Sequence, residues 1–373
     1  MTETTLHVCH LLGSLGSGGR ESLLLDIMKH TPEDVDHSLC CFKSTDGTAT
    51  RFESLGTSVR AFDVGSPTDY RQLLGLFNHL RRSDIDVLHI HGPRAQVPGR
   101  LLGRIGGVSA IVSTHHGVRE MFPTRIQKYE RATRWLDSVT IAVSEGVRRS
   151  YVDETSTDGW RTIHNGIDVD AFHTAVQGAD PESVRDRHDL DDEMILLNVG
   201  RYVPPKAQLD LIEAMEIADE DLPSSRLFIV GGRGAMEDRL RNAVRERNLD
   251  DVVSVTGHVE DIDSYYAAAD VFVSSSIQEG LPIVLLEAMA AKLPVIATAI
   301  PGVKELVNNG TSGVLVPPGR PDQLAREIDR MSDPAVRTPF AAAGYRRVRD
   351  QFDIGQTAAG YHSVYRELTE DGR

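Results

Sequence analysis

Short, apolar, β-branched runs alternate with segments of helical period along nearly the whole sequence, and the alternation lapses once, near the middle. In the first half the strand-like runs are Leu6–Leu11, Ser38–Phe42, Ser58–Phe62, Val87–His91, Ala110–Thr114, Val139–Val143 and Arg161–His164. Helical patterns fall at Glu21–Lys29 and Tyr70–Arg82. Strands that alternate with helices predict parallel βαβ units and a doubly wound sheet. From Phe172 to Asp192 the pattern gives way to Gln, Gly, Asp, Pro and charged residues, which predicts an interdomain connection. It resumes with strands at Met194–Val199, Arg226–Val230, Val252–Val255, Val271–Ser275 and Pro294–Thr298, and helices at Leu209–Ala218, Met236–Asn248, Ile262–Ala269 and Ile283–Lys292. The expectation is two Rossmann-like domains, over residues 1–175 and 190–355, with a terminal helix in 356–373 returning to the first. A chain of 373 residues exceeds the usual size of one core, which agrees with two.

Composition excludes several classes. No apolar stretch is long enough to cross a bilayer, and Met1–Thr5 has neither the basic start nor the apolar core of a signal peptide, so a cytoplasmic location is expected. Cys9, Cys40 and Cys41 are odd in number and lie on expected strands, which argues against a disulfide framework or a zinc site. A net charge of −15 opposes general nucleic-acid binding. The charge is uneven, however: from Arg100 to Leu136 the bases Arg100, Arg104, Arg119, Arg125, Lys128, Arg131 and Arg134 outnumber Glu120 and Glu130. Aromatic and apolar residues interleave with them, so 119–135 reads either as a basic amphipathic helix touching anionic lipid on the cytoplasmic face or as a surface helix docked on the sheet.

Candidate chemistry concentrates at the expected strand ends. Glu279 and Glu287 flank seven residues, Gly-Leu-Pro-Ile-Val-Leu-Leu, which places one carboxylate in a loop and the other about one turn inside a helix that begins near Pro282. A helix N-terminus suits phosphate, and carboxylates beside it accept hydrogen bonds from sugar or ribose hydroxyls. The pair suits a nucleotide sugar, although solvated surface glutamates would have the same spacing. Gly200-Arg201 and Lys206 follow another strand, where two cations could stabilise a diphosphate. Gly13–Glu21 contains Gly16, Gly18 and Gly19 but satisfies neither nucleotide fingerprint: Gly19-Arg20 stands where a P-loop needs Lys then Ser or Thr, and Glu21 where a dinucleotide loop needs Gly. His115-His116 ends a third strand without the further ligands of a metal site.

The spacing of Glu279 and Glu287 around Gly280-Leu281-Pro282, followed by Ala-Met-Ala-Ala-Lys-Leu-Pro-Val-Ile-Ala, resembles the retaining glycosyltransferases of family 4. The resemblance covers about Leu6 to the 350s and is most specific from Gly200 to Pro318. It implies the GT-B fold, two Rossmann-like domains facing a cleft. It implies that Glu287 holds the ribose, that Glu279 with Gly280, Leu281 and Pro282 holds sugar and phosphate, and that Arg201 and Lys206 stabilise the departing diphosphate. Gly18-Gly19-Arg20-Glu21 resembles the family's Gly-Gly-x-Glu segment at the donor phosphates, and His116 matches the His that approaches the donor sugar. Gly232 in Gly231–Gly234 and Val259 after Gly257-His258 fall where the family holds the base. Ala207 departs from the pattern, which carries Gly there. Ser144-Glu145-Gly146, His164–Asp168 and Glu305 also resemble family loop segments.

The expected activity is transfer of a hexose-type sugar, with retention, from a UDP- or GDP-sugar to an acceptor hydroxyl, in glycan, glycolipid or cell-surface polysaccharide synthesis; a lipid carrier, an oligosaccharide and a small metabolite all stay open as the acceptor. No metal or other cofactor is expected, because the two cations and the helix dipole take the place of Mg²⁺. A nucleotide-sugar epimerase of the same architecture and a non-catalytic nucleotide-sugar-binding subunit are the rival readings.

Overall fold

The computed structural model describes residues 5–16, 18–44, 47–66, 68–152, 159–218, 225–232 and 234–370. Ser17 of the first glycine loop and Arg233 of the Gly231–Gly234 loop lie outside them. The chain divides into two compact units, one of residues 1–166 with 354–373 and one of residues 167–353.

The first unit holds strands β1 (Leu6–Leu12), β2 (Val35–Cys41), β3 (Ser58–Ala61), β4 (Val87–His91), β5 (Ala110–His115), β6 (Val139–Ala142) and β7 (Trp160–Thr162). They form one sheet in the order β3-β2-β1-β4-β5-β6-β7, parallel throughout. The second unit holds β8 (Met194–Val199), β9 (Ser225–Val230), β10 (Val253–Gly257), β11 (Val271–Ser274), β12 (Val295–Thr298) and β13 (Val314–Val316), in the order β10-β9-β8-β11-β12-β13 and again parallel. Parallel strands covered on both faces become near-continuous apolar runs, as in β8 and β11, where nearly every residue is buried. In each sheet the strand order reverses once, between β1 and β4 and between β8 and β11. Two adjacent loops at such a point lead away from each other and leave a crevice at the carboxyl ends of the strands.

The expected connection at Phe172–Asp192 is instead two helices, Val169–Gly178 and Pro181–Arg187. The Gln-Gly and Asp-Pro punctuation between them and the charge of the second hid them, yet each starts at an aspartate whose carboxylate accepts from the first turn: Asp168 from the Ala171 N–H and Asp180 from the Glu182 and Ser183 N–H groups. The first of these helices packs in the second unit, so the expected first-domain boundary at 175 moves back to 166. His173 bonds the Ala290 carbonyl at 3.1 Å, and Phe172 meets Tyr266 edge-on. The terminal helix Ile354–Glu370 belongs to the first unit, where the Tyr365 hydroxyl lies 2.6 Å from His89 Nδ1 and Thr357 Oγ1 donates to the His164 carbonyl.

Helix Pro93–Gly106 was not apparent from the sequence, because Pro98, Gly99 and Gly103 mask its period. The two glycines let it lie close against the sheet: a Cβ at Gly99 would fall 2.7 Å from the Leu11 side chain, and one at Gly103 equally near that of Leu88. Nor is 119–135 one helix. Pro123 divides it into a short turn Arg119–Met121 and helix Thr124–Thr133, followed by the turn Arg134–Leu136.

Several bases of the wider Arg100–Leu136 stretch face inward. Arg100, 0% exposed, donates to both Asp137 carboxylate oxygens at 2.7 and 2.8 Å, to the Glu130 carbonyl at 3.0 Å and to Glu130 Oε1 at 3.3 Å. Arg134 pairs with Glu130 at 2.5 Å, and Arg104 donates to the carbonyls of Leu136 and Ser109. Burial opposes ionisation of Glu130, but His115 and Arg134 outweigh it and hold the carboxyl well below the usual range. Removing one partner of such a network leaves buried charge uncompensated. Arg100→Leu should therefore destabilise the first unit by about 3–5 kcal/mol, read as a lower urea midpoint for its unfolding transition; an unchanged midpoint would show that the network contributes nothing.

Candidate active site

The second unit's crevice lies between the loops that leave β8 and β11. The β8 loop runs from Gly200 through the turn Pro204–Lys206, and the β11 loop runs from Ser275 to Pro282. They are tied together, since the Ile277 N–H donates to the Pro205 carbonyl at 2.8 Å and Ser275 Oγ to the Lys206 carbonyl at 2.9 Å. Across this junction Lys206 Nζ donates to Glu279 Oε1 at 2.5 Å, with both side chains mostly buried (19% and 14% exposed). Ser276 Oγ donates to the same oxygen at 2.8 Å. The sequence reading gave Lys206 to a diphosphate and Glu279 to a sugar, whereas here they hold one another. An ammonium has three N–H donors, and Glu279 takes one.

Local backbone explains how the lysine reaches across. A Cβ at Gly200 would come within 3.2 Å of the Lys206 chain, so glycine clears its path. Ala207 has φ 46° and ψ 38°, the left-handed region, where a Cβ costs about 1–2 kcal/mol. Ala207 thus carries a strain that a glycine at this position would avoid. Arg201 is exposed, and its backbone carbonyl accepts from the Val203 N–H.

Helix Ile283–Ala290 follows with Pro282 at its cap position, one residue earlier than the helix proper, and no side chain caps its first turn. Glu287, half-buried, accepts from the Tyr266 hydroxyl at 2.8 Å. Burial first, and the neighbouring Glu287 second, push the Tyr266 phenol well above its ordinary value, so Tyr266 stays protonated and donates. Below the Gly280–Leu281 loop sits Gly302, where a Cβ would overlap the Gly280 carbonyl oxygen. Thr298 Oγ1 donates to the Ser276 carbonyl.

Gly231, Gly232 and Val259 leave β9 and β10 beside this loop set. Tyr202, fully buried, stitches the three strand ends: its hydroxyl donates to the Ile229 carbonyl at 2.8 Å and accepts from the Gly257 N–H at 2.9 Å. Gly231 packs directly on Gly200, where a Cβ would overlap the Gly200 carbonyl oxygen. Tyr202, Tyr266, Ser276, Thr298 and Gly302 escaped the sequence reading, because a buried tyrosine that ties loops together has no periodic signature. Glu305 is half-buried, and its carbonyl accepts from Arg347 at 2.8 Å.

In the first unit Gly18 caps helix Gly19–His30, and both glycines are exposed. Arg20 pairs with the buried Glu21 and donates to the Ser14 carbonyl at 3.1 Å. His116 follows β5, half-buried, with Nε2 3.2 Å from His91 Nδ1. Burial, with Arg20 nearby, holds its pKa well below the ordinary value, so the ring is neutral near pH 7. His115 instead turns inward to Glu130, at 3.4 Å. The sequence reading foresaw no metal ligands; in the structure His10, His89 and His91, all buried, have ring nitrogens within 4.8 Å of one another. Each of those histidines already has hydrogen-bond partners within the protein.

Two family models cover most of the chain: glycosyltransferase family 4 matches residues 17–171 and glycosyl transferases group 1 matches residues 180–347. The chain belongs to glycosyltransferase family 4. It is 28% identical over 98% of both chains to the UDP-Gal:α-D-GlcNAc-diphosphoundecaprenol α-1,3-galactosyltransferase of Escherichia coli. It is 31% identical to the α-D-kanosaminyltransferase of Streptomyces kanamyceticus, over 78% of this chain and 79% of the relative. The structure of Anabaena HepE with UDP and glucose superposes with a TM-score of 0.84 over 97% of this chain and all of that one, at 21% identity. The fold of this family 4 glycosyltransferase is therefore GT-B. Gly302→Ala should push the Gly280 carbonyl and lower turnover about 10²-fold, the cost of misplacing a site by about 1 Å, with an unchanged far-ultraviolet dichroism spectrum. Unaltered turnover would remove that loop from the site.

Proposed function

We propose that this glycosyltransferase moves a hexose-type sugar from a nucleoside diphosphate donor, UDP- or GDP-linked, to an acceptor hydroxyl with retention of configuration. The observation that carries the reading is the Lys206–Glu279 pair at the reversal point of the second sheet, beside the Gly280–Leu281 loop and the uncapped start of helix Ile283–Ala290. In this reading Glu287, oriented by Tyr266, accepts from the ribose hydroxyls. Lys206 shares its remaining N–H groups with the diphosphate while fixing Glu279 towards the sugar, and exposed Arg201 folds onto the same phosphates. Charge grows on the diphosphate as the glycosidic bond breaks, and preplaced cations stabilise that charge without reorganising. Gly232 and Val259 contact the base, and Gly18, Gly19 and His116 keep the donor-side roles that the resemblance implies for them. The Escherichia coli relative acts on a diphosphoundecaprenol-linked sugar, which supports a lipid-linked acceptor and a role in glycolipid or surface polysaccharide synthesis.

Hydrolysis of UDP-, GDP- and ADP-sugars by the intact protein should single out one of the first two, undiminished by EDTA. Arg201→Ala and Lys206→Ala should each lower turnover of that donor about 10²-fold. The first product formed, read by NMR, should keep the donor's anomeric configuration. An inverted product would refute retention, and an isomerised free donor formed without acceptor would favour the epimerase reading.

No described helix is long and apolar enough to cross a membrane, but one face of the first unit suits an anionic bilayer surface. Helices Pro93–Gly106 and Thr124–Thr133 pack side by side, and around them Ile105 (71%) and Trp135 (79%) are exposed together with Leu101, Tyr129, Arg125, Lys128 and Arg131. Basic side chains around an exposed tryptophan bring electrostatic attraction and apolar insertion together. The protein should co-sediment with phosphatidylglycerol vesicles, less so at high salt, and only weakly with phosphatidylcholine. Trp135→Glu combined with Arg131→Glu should abolish this; undiminished sedimentation would move the contact elsewhere.

A further inference from the structure

Four histidines in the first unit form a continuous chain of ring-to-ring hydrogen bonds. His37 Nδ1 lies 3.0 Å from His10 Nε2, His10 Nδ1 lies 3.0 Å from His91 Nε2, and His91 Nδ1 lies 3.2 Å from His116 Nε2. The chain starts on β2, crosses β1 and β4 at the reversal point of the sheet, and ends just beyond β5. His37, His10 and His91 are buried, and His116 is half-buried.

A neutral imidazole carries one N–H donor and one bare nitrogen acceptor. In a chain of neutral rings every bond must therefore run in the same direction, because a ring that accepts at one nitrogen must donate from the other. Two directions satisfy the geometry, and the far end decides between them. His37 Nε2 is buried and has no hydrogen-bond partner among the described residues. Were the chain to run from His116 towards His37, that nitrogen would be a buried N–H with nothing to receive it. Orphaned buried N–H groups are rarer and more costly than under-used acceptors. Running the other way, His37 Nδ1–H donates to His10, His10 Nδ1–H to His91 and His91 Nδ1–H to His116, leaving only a bare nitrogen at the end. Burial lowers the pKa of every member, His37 to about 4, which keeps the rings neutral as this requires.

We infer that His37, His10 and His91 are positioning residues that hold His116 as the Nδ1–H tautomer, so that this ring offers a hydrogen-bond donor, and no basic nitrogen, at Nδ1. The Nδ1 of His116 has no partner among the described residues. The functional half of the inference rests on the reading of His116 as a sugar-side group: it then donates to a hydroxyl or phosphate oxygen of the donor and cannot take up the acceptor's proton at Nδ1. The same buried rings could be read as a cation site. Against that, His10 Nδ1, His91 Nε2 and both nitrogens of His89 are already hydrogen-bonded, His89 to Tyr365 and Thr114.

The test is a long-range ¹H–¹⁵N correlation spectrum of the full-length, ligand-free protein labelled with ¹⁵N-histidine, with His116 assigned through His116→Gln. A solvated histidine side chain favours the Nε2–H form, so the expected result, Nδ1–H for His116, His91 and His10, differs from the solvent default. Nε2–H or an averaged tautomer at His116 would overturn the inference. In His91→Leu, His116 should shift towards the solvent mixture, and a ring that stays fully Nδ1–H would show that the chain does not set it. The wild-type spectrum decides even if that variant fails to fold. Whether His116 faces the donor is answered separately, by the movement of its signals on adding UDP.

Discussion

Everything placed at the second unit's crevice depends on one topological constraint, the reversal of strand order between β8 and β11. Neighbouring parallel strands whose connections depart in opposite directions leave their carboxyl ends uncovered. Two loops carrying Lys206 and Glu279 meet across that gap, and the ion pair and two backbone-directed hydrogen bonds hold them there. Pairing a carboxylate with a lysine lowers the net charge of the crevice. In the proposed function the pair lets the carboxylate face hydroxyls while the cation faces phosphate.

Residues that carry no charge set the precision of this arrangement. Tyr202, just beyond β8, ties β9 and β10 to it through one hydroxyl, Tyr266 fixes the orientation of Glu287, and Gly302 lets the Gly280 carbonyl pass at a distance that no side chain would permit. Charged groups at a strand end are common on protein surfaces. Charged groups whose supporting backbone is bonded on every side form a preorganised site.

The alternation of apolar runs and helical periods made the strands legible: Val87–His91 and Tyr70–Arg82 coincide with the observed elements, and most others differ by a residue or two at their ends. Where the reading failed, a physical signal was weak or contradictory. Helix Pro93–Gly106 is rich in the residues that usually end helices, because close approach to the sheet outweighs propensity there. The helices at Val169–Gly178 and Pro181–Arg187 are short and separated by Gly178 and the Asp180-Pro181 pair, which passes for a linker, and their aspartate caps were the available clue. In the basic segment the charge count could not show direction: Arg100 and Arg104 turn inward to Asp137 and the Leu136 carbonyl, more than thirty residues on, and Arg134 to Glu130 one helical turn away. The histidine chain could not be read at all, since its members come from β2, β1, β4 and the end of β5 and only the sheet order brings them together.

The central claim is that the β8 and β11 loops grip a nucleoside diphosphate, and a crystal structure of the protein with UDP or GDP bound tests it most directly. The account predicts the ribose hydroxyls on Glu287 and the diphosphate oxygens within hydrogen-bond distance of Lys206 and Arg201, with the Lys206–Glu279 contact retained or exchanged for phosphate. A nucleotide bound with its phosphates away from both cations, or with its ribose out of reach of Glu287, would contradict it.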